Sequence, residues 1–398
     1  MSKDVWPDGL HPLTERVTAL GMQFGLWFEP EMVNPDSDLA RAHPEWIMSA
    51  RSQWPGEARR QQVLNLAIPG AYAHVRDQML ALLDEYPIGY IKWDHNRDLT
   101  ESGDQTRGGR PAVHAQTAAV YRLLDELRER HPDLEIESCS SGGGRVDLGV
   151  MMHTDRIWVS DCIDPHERQS MMRWSTQLLP PEYLGSHIAS GRSHTTSRMH
   201  DLNFRAATAI FGHLGIEWDL ADASDRALAE LGAWVAFYKD NRDLLLTGDL
   251  VRIDDPGDGF LAHGVVAPDK SAALYAYVAM GNPLADPGAA LRLRGLDPDR
   301  VYTLRPVLVG AAPSGLIAPQ WWGGAAVEPD EPLDPSHPYP GLKAPITFPG
   351  ADFRGDVLAA VGVNPPRLHP DQAVLLRADA HPSPAPTPQG DPASPSRP

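Results

Sequence analysis

The 398-residue sequence predicts an α/β protein, a (β/α)8 TIM barrel lacking its first strand and followed by a small antiparallel β-sandwich domain. Three observations predict it. Up to about residue 243, short apolar runs alternate with amphipathic helical stretches, which is the pattern of parallel βα units. Polar and charged residues repeatedly follow the last apolar residue of a run, where such a barrel carries its functional loops. Beyond residue 244 the pattern changes to short strands punctuated by Gly and Pro. The expected organisation is a barrel over 1–243, an antiparallel β domain over 244–379 and a disordered tail over 380–398, where Pro, Ser, Ala and Gly dominate.

Residues 1–10 read as the loop before a helix at 13–20, so the first barrel strand is expected to be missing and the chain to begin inside the fold. Strands are expected at 24–28, leading into Glu29-Pro30-Glu31, at 62–67, and at 88–93, leading into Asp94. Others follow at 134–137 and 156–159, with weaker runs at 183–188 and 209–216, about seven in all. Helices are expected between them, among them 71–85, with Val75, Met79, Leu82 and Leu83 at helical spacing, and 115–130. A last helix at 224–241 precedes the β domain, whose strands are expected at 259–266, 271–278 and 289–293.

Composition narrows the partners. The chain has 35 basic and 53 acidic residues, a net charge of −18, which repels phosphate backbones and anionic membrane surfaces. A neutral small substrate fits this charge better than nucleic acid or a membrane. Cys139 and Cys162 are the only cysteines, too few for a disulfide framework and not in a paired metal-ligand spacing. The N-terminus lacks the order of a signal peptide and no apolar run approaches membrane-spanning length, so a cytoplasmic setting is expected.

The densest chemical signal is Tyr90-Ile91-Lys92-Trp93-Asp94-His95-Asn96-Arg97, where a lysine, a carboxylate and an amide follow one another at a strand's end. A carboxylate beside a cationic lysine is held ionised, as a nucleophile requires, and Lys92 and Asn96 can donate hydrogen bonds to sugar hydroxyls. The competing reading is a structural salt-bridge cluster under a loop. A second carboxylate group, Trp158-Val159-Ser160-Asp161-Cys162-Ile163-Asp164, ends another strand. Cleavage of a glycosidic bond needs two carboxyl groups, about 5–5.5 Å apart for retention and wider apart for inversion. Asp94 and Asp161 can supply that pair. The competing reading of Asp161 is a helix N-cap ahead of His166-Glu167-Arg168.

A third strand end, Glu137-Ser138-Cys139-Ser140-Ser141-Gly142-Gly143-Gly144-Arg145, is followed by small residues that let backbone amides approach a ligand. It lacks the lysine of a phosphate-binding loop and the spacing of a dinucleotide fingerprint. Cys139 is expected to contact substrate rather than attack it. His153, Asp155, Asp161, Cys162, Asp164 and His166 meet none of the zinc spacings, so no metal is expected. Trp27, Trp46 and Trp93 offer flat faces to a pyranose ring, with placement in the core as the alternative. Glu29 and Glu31 follow their strand directly and are expected to tie loops together.

In this order the motifs resemble those of glycoside hydrolase family 36, the bacterial α-galactosidases. The run Gly25 to Val33 is similar to the family's second barrel strand, and His43-Pro44-Glu45-Trp46 to its tryptophan-bearing loop. Lys92 to Arg97 resembles the nucleophile motif, Glu137 to Asp147 the Cys-containing glycine loop, and Ser160-Asp161 to Arg168 the acid/base motif. Phe211 to Leu220 is similar to the last strand. The likeness covers the chain to about residue 379. It implies Asp94 as the nucleophile that forms a β-galactosyl-enzyme and Asp161 as the group that protonates the leaving oxygen and then activates water. It also implies sugar contacts from Lys92, Asn96 and Cys139, Ser141 in the adjoining loop, and Trp46 as a wall of the pocket. Asp164 and Arg168 would support the acid/base loop.

Two family features are not found in the sequence. One is a large N-terminal β-sandwich with a first barrel strand ending in paired aspartates, and the other an arginine in the third strand's loop, where Ile68 stands. The implied activity is hydrolysis of terminal non-reducing α-D-galactosyl residues from raffinose- or melibiose-type oligosaccharides by a retaining double displacement. It implies no cofactor and a small oligosaccharide as the partner, with a homo-oligomer left open. The alternatives are an inactive truncated fragment that at most binds sugar or associates with a subunit, and an α-N-acetylgalactosaminidase or transglycosylase.

Overall fold

A computed structural model describes residues 4–282, 289–324 and 348–382, so from residue 383 onward the expected tail lies outside the described residues. The chain divides into two compact units, Met1–Ile163 with Ser170–Ser186 and Asp164–Gln169 with His187–Pro398.

The first unit holds parallel strands of a half-barrel sheet. In order across the sheet these are β1 (Phe24–Phe28), β2 (Ile88–Trp93), β3 (Glu135–Ser138), β4 (Arg156–Trp158) and the start of β5 (Leu184–Ala189). The register sets Trp27 beside Lys92, Phe28 beside Trp93, and Trp93 beside Ser138. Side chains alternate across each strand. Ile91, Trp93 and Ile136 enter a core shared with two helices, α2 (Pro69–Glu85) and α3 (Val113–Arg130), which follow the short α1 (His11–Ala19). The opposite face is polar: Tyr90 donates to Glu137 at 2.6 Å, and Arg156 to Glu135 at 2.7 Å. Helix α3 forms because Ala119, Val120, Leu123, Leu124 and Leu127 recur at helical spacing and are buried on one stripe, and it ends with Arg128 and Arg130 where the helix dipole favours cations.

The run at 62–67 departs from expectation. Only Gln62–Val63 is a strand, and it pairs antiparallel with Met32–Val33 outside the parallel sheet, so β1 and β2 are direct neighbours. The residues after it find other partners for their amides. Leu64 N donates to Glu31 O, Asn65 N to Trp46 O, and Leu66 N to the Gln116 side chain, at 2.7–2.8 Å. With those donors engaged, the segment has no ladder to offer a neighbouring strand.

In the second unit β5 neighbours β6 (His213–Glu217), the last of six strands of this sheet among the described residues, where about seven are expected. The segment expected as a strand at 209–216 begins too early, because residues up to 209 belong to the helix α5 (Leu202–Ala209), which follows α4 (Pro165–Ser175) in the chain. After α6 (Asp225–Thr247) comes an antiparallel sheet of six strands among the described residues. They are β7 (Asp249–Ile253), β8 (Phe260–Val266), β9 (Ala272–Ala279), β10 (Val301–Val307), β11 (Ala351–Arg354) and β12 (Gln372–Ala380), in the order β7-β8-β9-β12-β10-β11. Strand β9 is buried on both faces. Tyr275 and Tyr277 join one core with Trp322 and Leu358, while Leu274, Ala276 and Val278 join another with Phe204 and Trp234 from α5 and α6. That explains why its sequence reads as a continuous apolar run. The run at 289–293 contributes no strand; Leu291 makes one isolated antiparallel bridge to Val363.

Candidate active site

The site grows from the ends of β2, β3 and β4. Asp94 N donates to Phe28 O at 2.8 Å and Cys139 N to Trp93 O at 2.7 Å, so the ladder is extended past both strand ends and sets Asp94 beside Cys139. Asp94 is 6% exposed. Its Oδ2 accepts from Trp27 Nε1 at 3.0 Å and Asn96 Nδ2 at 2.7 Å, and its Oδ1 from the amides of His95 at 2.8 Å and Ser141 at 3.4 Å. Burial pushes the pKa of Asp94 up, but hydrogen bonds from Trp27, Asn96, the Cys139 thiol and the His95 amide outweigh it and hold the carboxyl below its ordinary range. The anion is therefore kept by neutral donors. Lys92, expected from the sequence to do this, has its ammonium 3.6 Å from Glu137 Oε1 and 4.6 Å from the centroid of Trp158.

Trp158 leads to the second carboxylate. Its Nε1 donates to Asp161 Oδ1 at 3.0 Å, while the rest of Asp161 is exposed. The N-cap role belongs to a different aspartate. Asp164 is fully buried, accepts from His166 N at 2.9 Å at the start of α4, and is also held by Thr196 and by Arg198 at 3.2 Å. Asp161 is thus free of the capping duty that competes for it in the sequence.

The glycine loop joins the two acids. Ser141 (φ 47°) and Gly142 (φ 84°) form a left-handed turn. While Ser141 N reaches Asp94, a Cβ on Gly142 would lie 2.7 Å from Ser160 Cα and 3.0 Å from Asp161 N. One turn therefore touches both carboxylate-bearing loops, and only glycine fits its second position. Gly142→Ala is expected to displace Ser160 and Asp161 and to lower turnover on the order of 10²-fold, the usual consequence of moving a reacting group by about 1 Å. Steady-state kinetics of the variant, compared with its melting curve, check this; unchanged kcat in a folded variant would show the close approach to be dispensable.

Cys139 is buried, and burial first, with the Asp94 charge second, pushes its thiol up to about 12. It stays protonated and donates, so it is suited to contact rather than to attack.

Of the residues singled out in the sequence, the geometry brings Lys92, Asp94, Asn96, Cys139, Ser141 and Asp161 around these strand ends. Asn96 spans several of them, donating to Asp94 while its Oδ1 accepts from Ser141 Oγ at 3.2 Å. Trp46 is stacked on His43 at 3.8 Å between centroids and packed over Gly70 at the start of α2. The indole bonded to Asp94 is that of Trp27, 54% exposed at the end of β1. Arg59 is also present, its Nη1 2.8 Å from Asn96 Oδ1. An arginine thus reaches the site from position 59, although the sequence places Ile68 where one is sought. In the sequence only the adjacent pair Arg59-Arg60 marks the place, and in the structure both residues adopt positive φ, 52° and 59°.

Among the described residues, no helix is long and apolar enough to cross a membrane, and no group of three or more His, Cys, Asp or Glu is placed to hold a metal ion.

Residues 1–248 match the profile of the Melibiase family, and residues 261–378 that of the glycosyl hydrolase family 36 C-terminal domain. An Escherichia coli α-galactosidase is 40% identical over 93% of this chain and 49% of its own, and Geobacillus stearothermophilus α-galactosidase AgaA is 34% identical over 75% of this chain and 41% of its own. The chain thus spans about half the length of these relatives. Among solved structures, family 36 α-galactosidase AgaB from Geobacillus stearothermophilus superimposes with a TM-score of 0.80 at 30% identity, over 96% of this chain and 47% of that one. A variant of AgaA solved in complex with raffinose gives 0.79 at 30% identity, over 94% and 47%.

Proposed function

Since the chain belongs to the Melibiase family and carries a glycoside hydrolase family 36 C-terminal domain, we propose that it is an α-galactosidase that releases terminal non-reducing α-D-galactosyl residues from small oligosaccharides of the raffinose and melibiose type. The observation that carries this reading is the pair of carboxylates bridged by the Ser141-Gly142 turn: Asp94 buried and ringed by neutral donors, Asp161 exposed. The first is suited to attack and the second to exchange a proton with a leaving group or water.

Asp94 attacks the anomeric carbon from the face opposite the leaving oxygen and forms a β-linked ester while Asp161 gives that oxygen its proton. Asp161 then takes a proton from water, which attacks from the original face, so the released galactose is α. Lys92, Asn96, Cys139 and Arg59 offer donors to the sugar hydroxyls, and Trp27 offers an apolar face. No cofactor enters. We place the chemistry in a barrel over 1–243, followed by an antiparallel β domain over 244–379, in a cytoplasmic protein whose subunits can associate with one another.

The test is incubation of the purified protein with p-nitrophenyl α-D-galactopyranoside, with proton NMR of the first product. Nitrophenol release with α-galactose appearing before mutarotation is expected. No release, or β-galactose first, sinks the reading.

A further inference from the structure

Glu31 lies just past β1 (Phe24–Phe28) and is 1% exposed, so it does not face solvent or a sugar. Side chains from three other parts of the chain converge on its carboxylate. Trp93 Nε1 donates to Oε1 at 3.0 Å, and Arg145 Nη1 to the same oxygen at 2.9 Å. Gln116 Nε2 on α3 (Val113–Arg130) lies 3.5 Å from Oε2, and His95 Nε2 lies 4.0 Å from it. The ladder of β2 runs one residue past its end, through the bond from Asp94 N to Phe28 O. Asp94 and Asn96 bond to each other on the side of the site, while Trp93 and His95 lie against Glu31. Arg145 closes the glycine loop that carries Cys139, Ser141 and Gly142.

A buried carboxylate persists only where its partners compensate the lost hydration. Burial pushes the pKa of Glu31 up, but Arg145, His95 and Trp93 more than reverse it. The ion pair with Arg145 thus ties the backbone on both sides of Asp94 to the loop that donates to Asp94 and abuts Asp161.

We propose that Glu31 is a positioning residue: its buried carboxylate, bonded by Trp93 and Arg145 with His95 4.0 Å away, fixes Asp94 relative to the glycine loop. It never touches the substrate. The proposal rests on the reading of Asp94 as the nucleophile, and its test is chosen so that the two can fail separately.

Glu31→Gln keeps the shape and the acceptor for Trp93 but removes the charge that holds Arg145. Measured well below its melting temperature, it is expected to lose about 10- to 100-fold in kcat with KM changed less than about threefold, because a displaced nucleophile slows chemistry more than binding. Hydrogen exchange of peptides covering 93–97 and 139–145 should quicken while the rest of the protein keeps its protection. Wild-type kcat in the variant, or exchange that quickens uniformly, overturns the proposal and leaves Glu31 an ordinary core ion pair. If Glu31→Gln gives no cooperative melt, Arg145→Lys, which keeps the charge but loses the guanidinium N–H that reaches Glu31, decides by the same two measurements. If the wild type itself turns over no galactoside, the functional reading fails, and selective exchange in the two peptides still decides whether Glu31 couples them.

Discussion

Asp94→Ala is expected to lower kcat on nitrophenyl α-galactoside by at least on the order of 10⁴-fold, since removing a covalent nucleophile deletes the pathway rather than slowing it. Truncation leaves a small cavity lined by the donors that now surround the carboxylate, Trp27 Nε1, Asn96 Nδ2 and the amides of His95 and Ser141. Azide fits such a space. Entering from the side that Asp94 vacates, it should restore product formation as β-galactosyl azide, of inverted configuration. A variant that keeps turnover, or whose azide product is α, removes Asp94 from the role.

The same donors set a pH dependence in the wild type. The pKa of Asp94 is held below its ordinary range, with burial opposing and the hydrogen bonds from Trp27, Asn96 and Cys139 prevailing. A depressed carboxylate pKa contributes stability that is present above the unfolded value, about 3.9, and is lost as pH falls through the folded value. The acidic limb of kcat/KM should therefore lie below the usual carboxylate range. A limb at or above about 4.5, with the fold intact by circular dichroism, contradicts this account.

Strands β1 and β2 are legible to the residue, because their apolar runs are bounded by turn and charge signals. The run at 62–67 has an equally good local pattern and still fails. Its amides are claimed by Glu31, Trp46 and Gln116, groups up to 50 positions away that no local window contains. The site shows the same division. Lys92, Asp94 and Asn96 are legible because one strand end delivers all three. Trp27 is legible only as one of three aromatic faces, and not as a partner of Asp94, since that contact depends on the register of two strands and joins residues 67 positions apart. The cap of α4 (Pro165–Ser175) shows a third kind of limit. Asp161 and Asp164 both stand ahead of the helix, and only the backbone path decides that Asp164 meets His166 N while Asp161 meets the Trp158 indole.

Asp161→Ala separates the two acids by stereochemistry. Loss of the proton donor should cost about 10²–10⁴-fold on raffinose or melibiose, whose leaving alcohols need protonation. The loss should be far smaller on dinitrophenyl α-galactoside, whose leaving group departs as an anion. With that substrate Asp94 still forms the β-linked ester, which then accumulates because no base activates water. Azide needs no such base. It attacks the ester from the α face, so Asp161→Ala should give α-galactosyl azide where Asp94→Ala gives the β anomer. The anomeric proton coupling distinguishes the products directly. If both variants give one anomer, the division of roles between the buried and the exposed aspartate is wrong. The opposite anomers follow only if one carboxylate bonds to the sugar and the other moves its protons.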